Sequence, residues 1–146
     1  MLAFVDRFAS ALVDAGMPRM PALVFVALLA TDEARLTADE LAGQLHVSRA
    51  AVSGAVRYLT QVGMLRRERQ RGSRREQYVL QADTWYELVL RREHLLDQWV
   101  TTARGGVEAL GAGTRAGERV AESAAFFEFL QAEMPAMLER WRSRRR

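Results

Sequence analysis

The sequence predicts a mainly α fold with a small β-hairpin wing, a winged helix-turn-helix flanked by long N- and C-terminal dimerisation helices. Three observations carry that expectation. "TADELAGQLHVSRAAVSGAVRYL" (37–59) holds two short amphipathic segments separated by a three-residue break. An arginine-rich stretch centred on a glycine follows at 64–80. Long apolar stripes at helical spacing then occupy 85–99 and 126–141. Helix, tight turn, helix and basic hairpin is the order of a winged DNA-binding lobe. We assign that lobe to 18–82 and a helical dimerisation region to 1–17 and 83–146.

Each element has a local cause. Helix one spans 2–16, with Leu2, Val5, Ala9 and Leu12 on one side and Gly16 ending it. Pro18 and Pro21 mark the start of helix two, which runs to Ala30, because proline suits a first turn. Thr37 and Glu40 form a capping box that opens helix three, 38–45. His46 and Val47 turn the chain, Ser48 caps helix four (49–62), and Gly63 stops it. "MLRRERQ" and "REQYVL" flank Arg71-Gly72-Ser73 as a hairpin bent at Gly72. Thr84 and Glu87 signal a further helix start, and Trp85, Leu88, Val89, Leu95, Leu96 and Trp99 then form a helix–helix core stripe. We expect Gly105-Gly106 to kink or end that helix, 111–118 to be a loop, and Pro135 to kink the last helix or split it in two.

Composition narrows the function. An apolar fraction of 49% in 146 residues supports a folded core. The longest apolar run, 20–30, is too short to span a bilayer, and the N-terminus lacks the basic leader of a signal peptide, so we expect a cytoplasmic protein without a membrane partner. With no cysteine, thiol redox sensing, thiolate metal sites and disulfides are excluded. His46 and His94 read as structural, and no metal or other cofactor is expected. No cysteine nucleophile, carboxylate pair on a rigid turn, Gly-rich phosphate loop or metal-ligand spacing supports an enzyme.

Charge is concentrated. The net charge is only +3, but 66–75 holds six arginines against one glutamate, and 140–146 holds five arginines. The rest of the chain is therefore acidic. Two basic patches on an acidic body point to a polyanion met at defined places. The tail reads either as a frayed helix end, where cations suit the dipole, or as a second DNA contact.

Helix four supplies the sharper signal. Val52, Ala55, Val56 and Leu59 share one side. The other side holds Ala50, Ser53, Gly54, Arg57 and Gln61. Gly54 costs a mid-helix position about 1 kcal/mol relative to Ala, and an ordinary solvated face would carry longer polar residues. A helix entering a DNA major groove needs such room for base edges. The DNA-binding residues of this helix are accordingly Ser48, Arg49, Ala50, Ala51, Ser53, Gly54 and Arg57. Those of the wing are Arg69, Arg71, Gly72, Ser73, Arg74 and Arg75, and Thr37 is a phosphate contact. Tyr58 reads equally as packing or as a phosphate contact. The partner is double-stranded DNA, since the A-form major groove of RNA would not admit helix four.

The order of elements, with "LTADELAGQLHVSRAAVSGAVRYLTQVGMLRRERQRGSRREQYVL" and the tail "AAFFEFLQAEMPAMLERWR", resembles the MarR family of transcriptional regulators, and within it the GbsR-like branch. The wing tip reads Gly72-Ser73-Arg74-Arg75 where the common tip is Asp-Arg-Arg. The resemblance implies a homodimer, joined through the terminal helices, that binds a pseudo-palindromic operator and is open to release by a small ligand. The apolar stripes beyond the lobe agree, and we assign Leu2, Val5, Leu12, Phe126, Leu130, Met137 and Trp141 to the dimer interface. A ligand pocket is expected among Phe8, Leu12, Met17, Met20, Trp85, Tyr86 and Val89, whose largely apolar character favours a hydrophobic or aromatic effector over a sugar or nucleotide; the alternative is a filled core without a cavity. The function expected is a sequence-specific repressor. The alternatives are a sequence-indifferent architectural DNA binder and a winged-helix protein-interaction module.

Overall fold

The computed structural model describes residues 1–145; Arg146, the last arginine of the basic tail, lies outside the described residues. The elements run α1 (Leu2–Asp14), α2 (Arg19–Leu29), β1 (Arg35–Thr37), α3 (Ala38–Leu45), α4 (Arg49–Gln61), β2 (Leu65–Arg69), β3 (Glu76–Leu80), α5 (Thr84–Leu110) and α6 (Arg115–Arg144). The chain divides into two compact units, Met1–Leu88 and Val89–Arg146.

In the first unit α2 is the central element. Ala22, Val24, Phe25, Val26, Ala27 and Leu28 are all buried, as expected for a helix apolar all round. Leu41 of α3 and Val52, Val56 and Leu59 of α4 complete the core, each fully buried. Val5 and Ala9 of α1 enter the same core, so this helix packs on the winged lobe along one side, while Leu2, at the start of that side, and Phe4 stay exposed. The sheet is antiparallel in the order β1-β3-β2, with Leu36 opposite Tyr78 and Arg67 opposite Tyr78 on the other edge. Strand β1 is an addition to the sequence reading. At three residues it carries no alternation, and what makes it a strand is its pairing to β3, about forty residues downstream in the chain.

The second unit joins the remainder of α5 to α6. Trp99 and Phe127 meet at 5.3 Å between ring centroids, Arg104 pairs with Glu128 at 2.9 Å, and Gln131 hydrogen-bonds Asp97. Three expectations are corrected here. Helix α5 continues through Gly105-Gly106 to Leu110. The loop expected at 111–118 is shorter, because α6 already starts at Arg115 with Thr114 as its cap. And α6 is one helix of 30 residues with Pro135 inside it, not two. Gly105 has open space around it and Pro135 is exposed, so neither disturbs a packed neighbour.

The connection between those helices is tight. Gly111 has φ +91°, a conformation that favours glycine. The Thr114 hydroxyl donates to the Gly111 carbonyl at 2.7 Å and accepts from the Gly117 amide at 3.0 Å. A Cβ on Gly117 would lie 2.0 Å from the Gly111 carbonyl oxygen.

Candidate nucleic-acid interface

Two local signals set the geometry of the helix-turn-helix. Thr37 accepts from the Glu40 amide at 3.2 Å while Glu40 Oε1 accepts from the Thr37 amide at 3.1 Å, closing the capping box that starts α3. His46 ends α3 in the left-handed region (φ 56°, ψ 45°), and Ser48 then caps α4 by accepting from the Ala51 amide at 3.1 Å. The break between helices is thus three residues long and closed at both ends.

Helix α4 separates its faces as its sequence predicts. Val52, Ala55, Val56 and Leu59 are buried, whereas Ala50, Ser53, Gly54, Arg57 and Gln61 are exposed. A Cβ on Gly54 would meet nothing within 4 Å. No packing requirement inside this chain explains that glycine, which only weakens its helix.

The wing is charged at its tip and paired at its base. Gln70 donates to the Arg75 carbonyl at 2.8 Å, and Gly72 turns the chain at φ +74°. Glu68 takes Arg66 at 3.2 Å and Arg35 at 3.7 Å. Among the described residues, Arg69, Arg71, Arg74 and Arg75 have no ion-pair partner, and all four are exposed. Four adjacent cations without counter-charges repel one another and do not serve the fold.

A cleft of about 260 Å³ joins helix-turn-helix to wing. It is lined by Thr37, Ala38, Asp39, Arg49, Arg74, Arg75, Glu76 and Tyr78. Thr37, expected as a phosphate contact, is only 6% exposed and its oxygen serves the cap, so its role in this structure is to start α3. Asp39 was not among the expected site residues. Its side chain pairs with Arg49 Nε at 3.1 Å, a contact between two helices that no local pattern signals.

The other expected sites fall as follows. Leu2, Phe126, Met137 and Trp141 are about half-exposed, while Leu12 and Leu130 are partly buried. Val5, expected at the dimer interface, is 3% exposed inside its own chain's core and is not available to a partner. Phe4 and Phe129 are exposed apolar residues that the stripe reading passed over, and Leu95, placed in the 85–99 stripe, is exposed as well. Of the expected pocket residues, Phe8, Leu12, Met17 and Met20 pack against the core of the first unit, and Trp85 fills space beside Phe8 (6.1 Å) and Phe25 (5.2 Å, edge-on). Tyr86 is half-buried, and Val89 opens the second unit.

Two family models match in tandem. Residues 15–76 match the MarR family, and residues 83–144 match the MmpR5-like MarR family transcriptional regulators. The chain belongs to the MarR family. It is a DNA-binding transcriptional regulator, not an enzyme. The fold of this MarR-family chain is similar to that of a transcriptional regulator of known crystal structure, at TM-score 0.83 and 22% identity over 97% of each chain. Other similar structures are two MarR-family regulators from Streptomyces coelicolor. Sco3205, solved in complex with DNA, is 23% identical over 94% of this chain and 72% of its own, at TM-score 0.47. AbsC is 18% identical over 88% and 85%, at TM-score 0.47. None of the curated proteins matches the chain. No described helix of this MarR-family protein is long and apolar enough to cross a membrane, and no group of potential metal ligands occurs among the described residues.

Proposed function

We propose that this MarR-family protein is a sequence-specific repressor that binds a pseudo-palindromic operator as a homodimer in the bacterial cytoplasm. The observation that carries the reading is the α4 face of Ala50, Ser53, Gly54 and Arg57, exposed and small without any reason internal to the fold. Ser48, Arg49 and Ala51 complete the groove-facing start of that helix. Arg69, Arg71, Arg74 and Arg75, carried around the Gly72-Ser73 bend, are the wing's contacts with phosphates and the minor groove, where focused negative potential attracts arginine.

The dimer follows from uncovered apolar surface in both units, and places half-site centres one DNA turn apart, about 10–10.5 bp. Within the family we read the tail as GbsR-like; the MmpR5-like description of the model matching 83–144 is the competing branch. A small hydrophobic or aromatic effector is the regulatory partner we favour, on the apolar character of Phe8, Met17, Met20 and Trp85. Trp fluorescence and operator affinity followed together during titration with aromatic compounds test it. Quenching with unchanged DNA binding would reject the switch.

Competition between an operator and bulk DNA tests the function as a whole. A specific regulator discriminates by about 10³-fold or more, whereas an architectural binder shows a ratio near one. In the same assay Arg71→Ala and Arg74→Ala are expected to weaken binding to every sequence. Each should lower the slope of log affinity against log salt by about one. An unchanged slope would remove that arginine from the interface.

A further inference from the structure

We propose that Asp39 is a specificity-determining residue: it holds Arg49 in the orientation that reads a guanine in the major groove. The inference rests on the reading of α4 as the recognition helix. Asp39 lies in the first turn of α3 and Arg49 is the first residue of α4. The short turn through left-handed His46 brings the two together, with Asp39 Oδ1 accepting from Arg49 Nε at 3.1 Å.

The side chains are 61% and 72% exposed respectively, and an exposed pair of this kind contributes little to folding. What the contact does is fix direction. The guanidinium is planar and its donors form a rigid fork. A carboxylate on Nε occupies one edge and leaves the end with the two terminal nitrogens free. That free end matches the paired O6 and N7 acceptors of guanine. Arg57, on the same outer face of α4, has no such partner among the described residues.

Asp39 also has a cost that a purely attractive surface would avoid. It shares its cleft with Arg74, Arg75 and Glu76, so its charge opposes phosphates drawn to those arginines. A carboxylate placed there weakens binding to any DNA while sharpening the choice of base, the combination expected of specificity built by repulsion as well as attraction.

The two effects have opposite signs, which makes the test decisive. Wild type, Asp39→Ala, Arg49→Ala and the double variant are each used to select binding sites from random duplex pools. Affinity for bulk DNA is measured alongside. Wild type should enrich a motif with a guanine in each half-site that Arg49→Ala no longer prefers, a loss of roughly tenfold or more. Asp39→Ala should relax the same position and no other, bind bulk DNA more tightly, and add nothing to Arg49→Ala in the double variant. An unchanged motif for Asp39→Ala, or equal weakening at every position, overturns the role of Asp39 and leaves the recognition helix standing. Failure of the wild type to enrich any motif overturns both.

Discussion

Glutamate in place of Gly54 is expected to abolish operator binding while the protein stays folded. Gly54 lies mid-way along α4 with open space where a Cβ would project, so the larger side chain displaces nothing in the chain itself. Glutamate is the better helix former by roughly 0.5–1 kcal/mol, and the thermal midpoint should hold or rise. At the DNA the same change is severe. The side chain pushes the helix out of the groove, and its carboxylate faces a polyanion. We expect operator affinity to fall by about 100-fold or more, near 2.7 kcal/mol. Anisotropy titrations beside a circular dichroism melt read both quantities. Gly54→Ala serves as the graded control, with a similar gain in stability and a smaller loss in binding. Equal operator affinity for Gly54→Glu and wild type would sink the assignment of α4 as the recognition helix.

The second large effect concerns assembly. The unit from Val89 onward buries few apolar side chains, Leu96, Ala124 and Leu138 among them. It leaves Leu95, Trp99, Leu110, Phe126, Phe129, Met137 and Trp141 between 48% and 59% exposed. A pair of helices with so little inside is poorly stable alone, and in the proposed homodimer a second copy is the occupant that covers both sets at once. Replacing Phe126 and Phe129 with arginine should take four rings out of the proposed twofold interface. At about 1.5–3 kcal/mol for each fully buried ring, the loss is roughly 6–12 kcal/mol. The double variant should sediment as a monomer at micromolar concentration, and its operator affinity should fall by orders of magnitude because half-sites would be bound singly. A dimer that survives both substitutions would rule out this face as the interface.

The parts of the fold that were legible in the sequence are those with local causes. The Thr37–Glu40 box, the Ser48 cap and the Gly72 bend each act within about four residues, and each is where its sequence places it. The two faces of α4 were legible because burial there follows helical periodicity. What escaped depends on distant partners. Strand β1 exists only through its pairing to β3. Helix α5 passes Gly105-Gly106 because its helical context outweighs two weak residues. Val5 belongs to a stripe that could face either its own core or a partner, and only the packing of α1 against α2 decides which. Asp39 was invisible as a site residue because its contact with Arg49 arises from the angle between two helices, not from spacing along one.

The joint between α5 and α6 bears on how this protein can be engineered. By composition and exposure, Gly111–Thr114 looks like a permissive place to splice in a reporter or a tag. Its geometry argues the reverse. The Thr114 hydroxyl is held between the Gly111 carbonyl and the Gly117 amide, and the backbone at Gly117 comes too close to Gly111 to admit a methyl group. One inserted residue would separate the groups that start the 30-residue α6. Length variation among natural relatives should therefore avoid this joint, and a glycine at the position of Gly117 would mark the chains that share it.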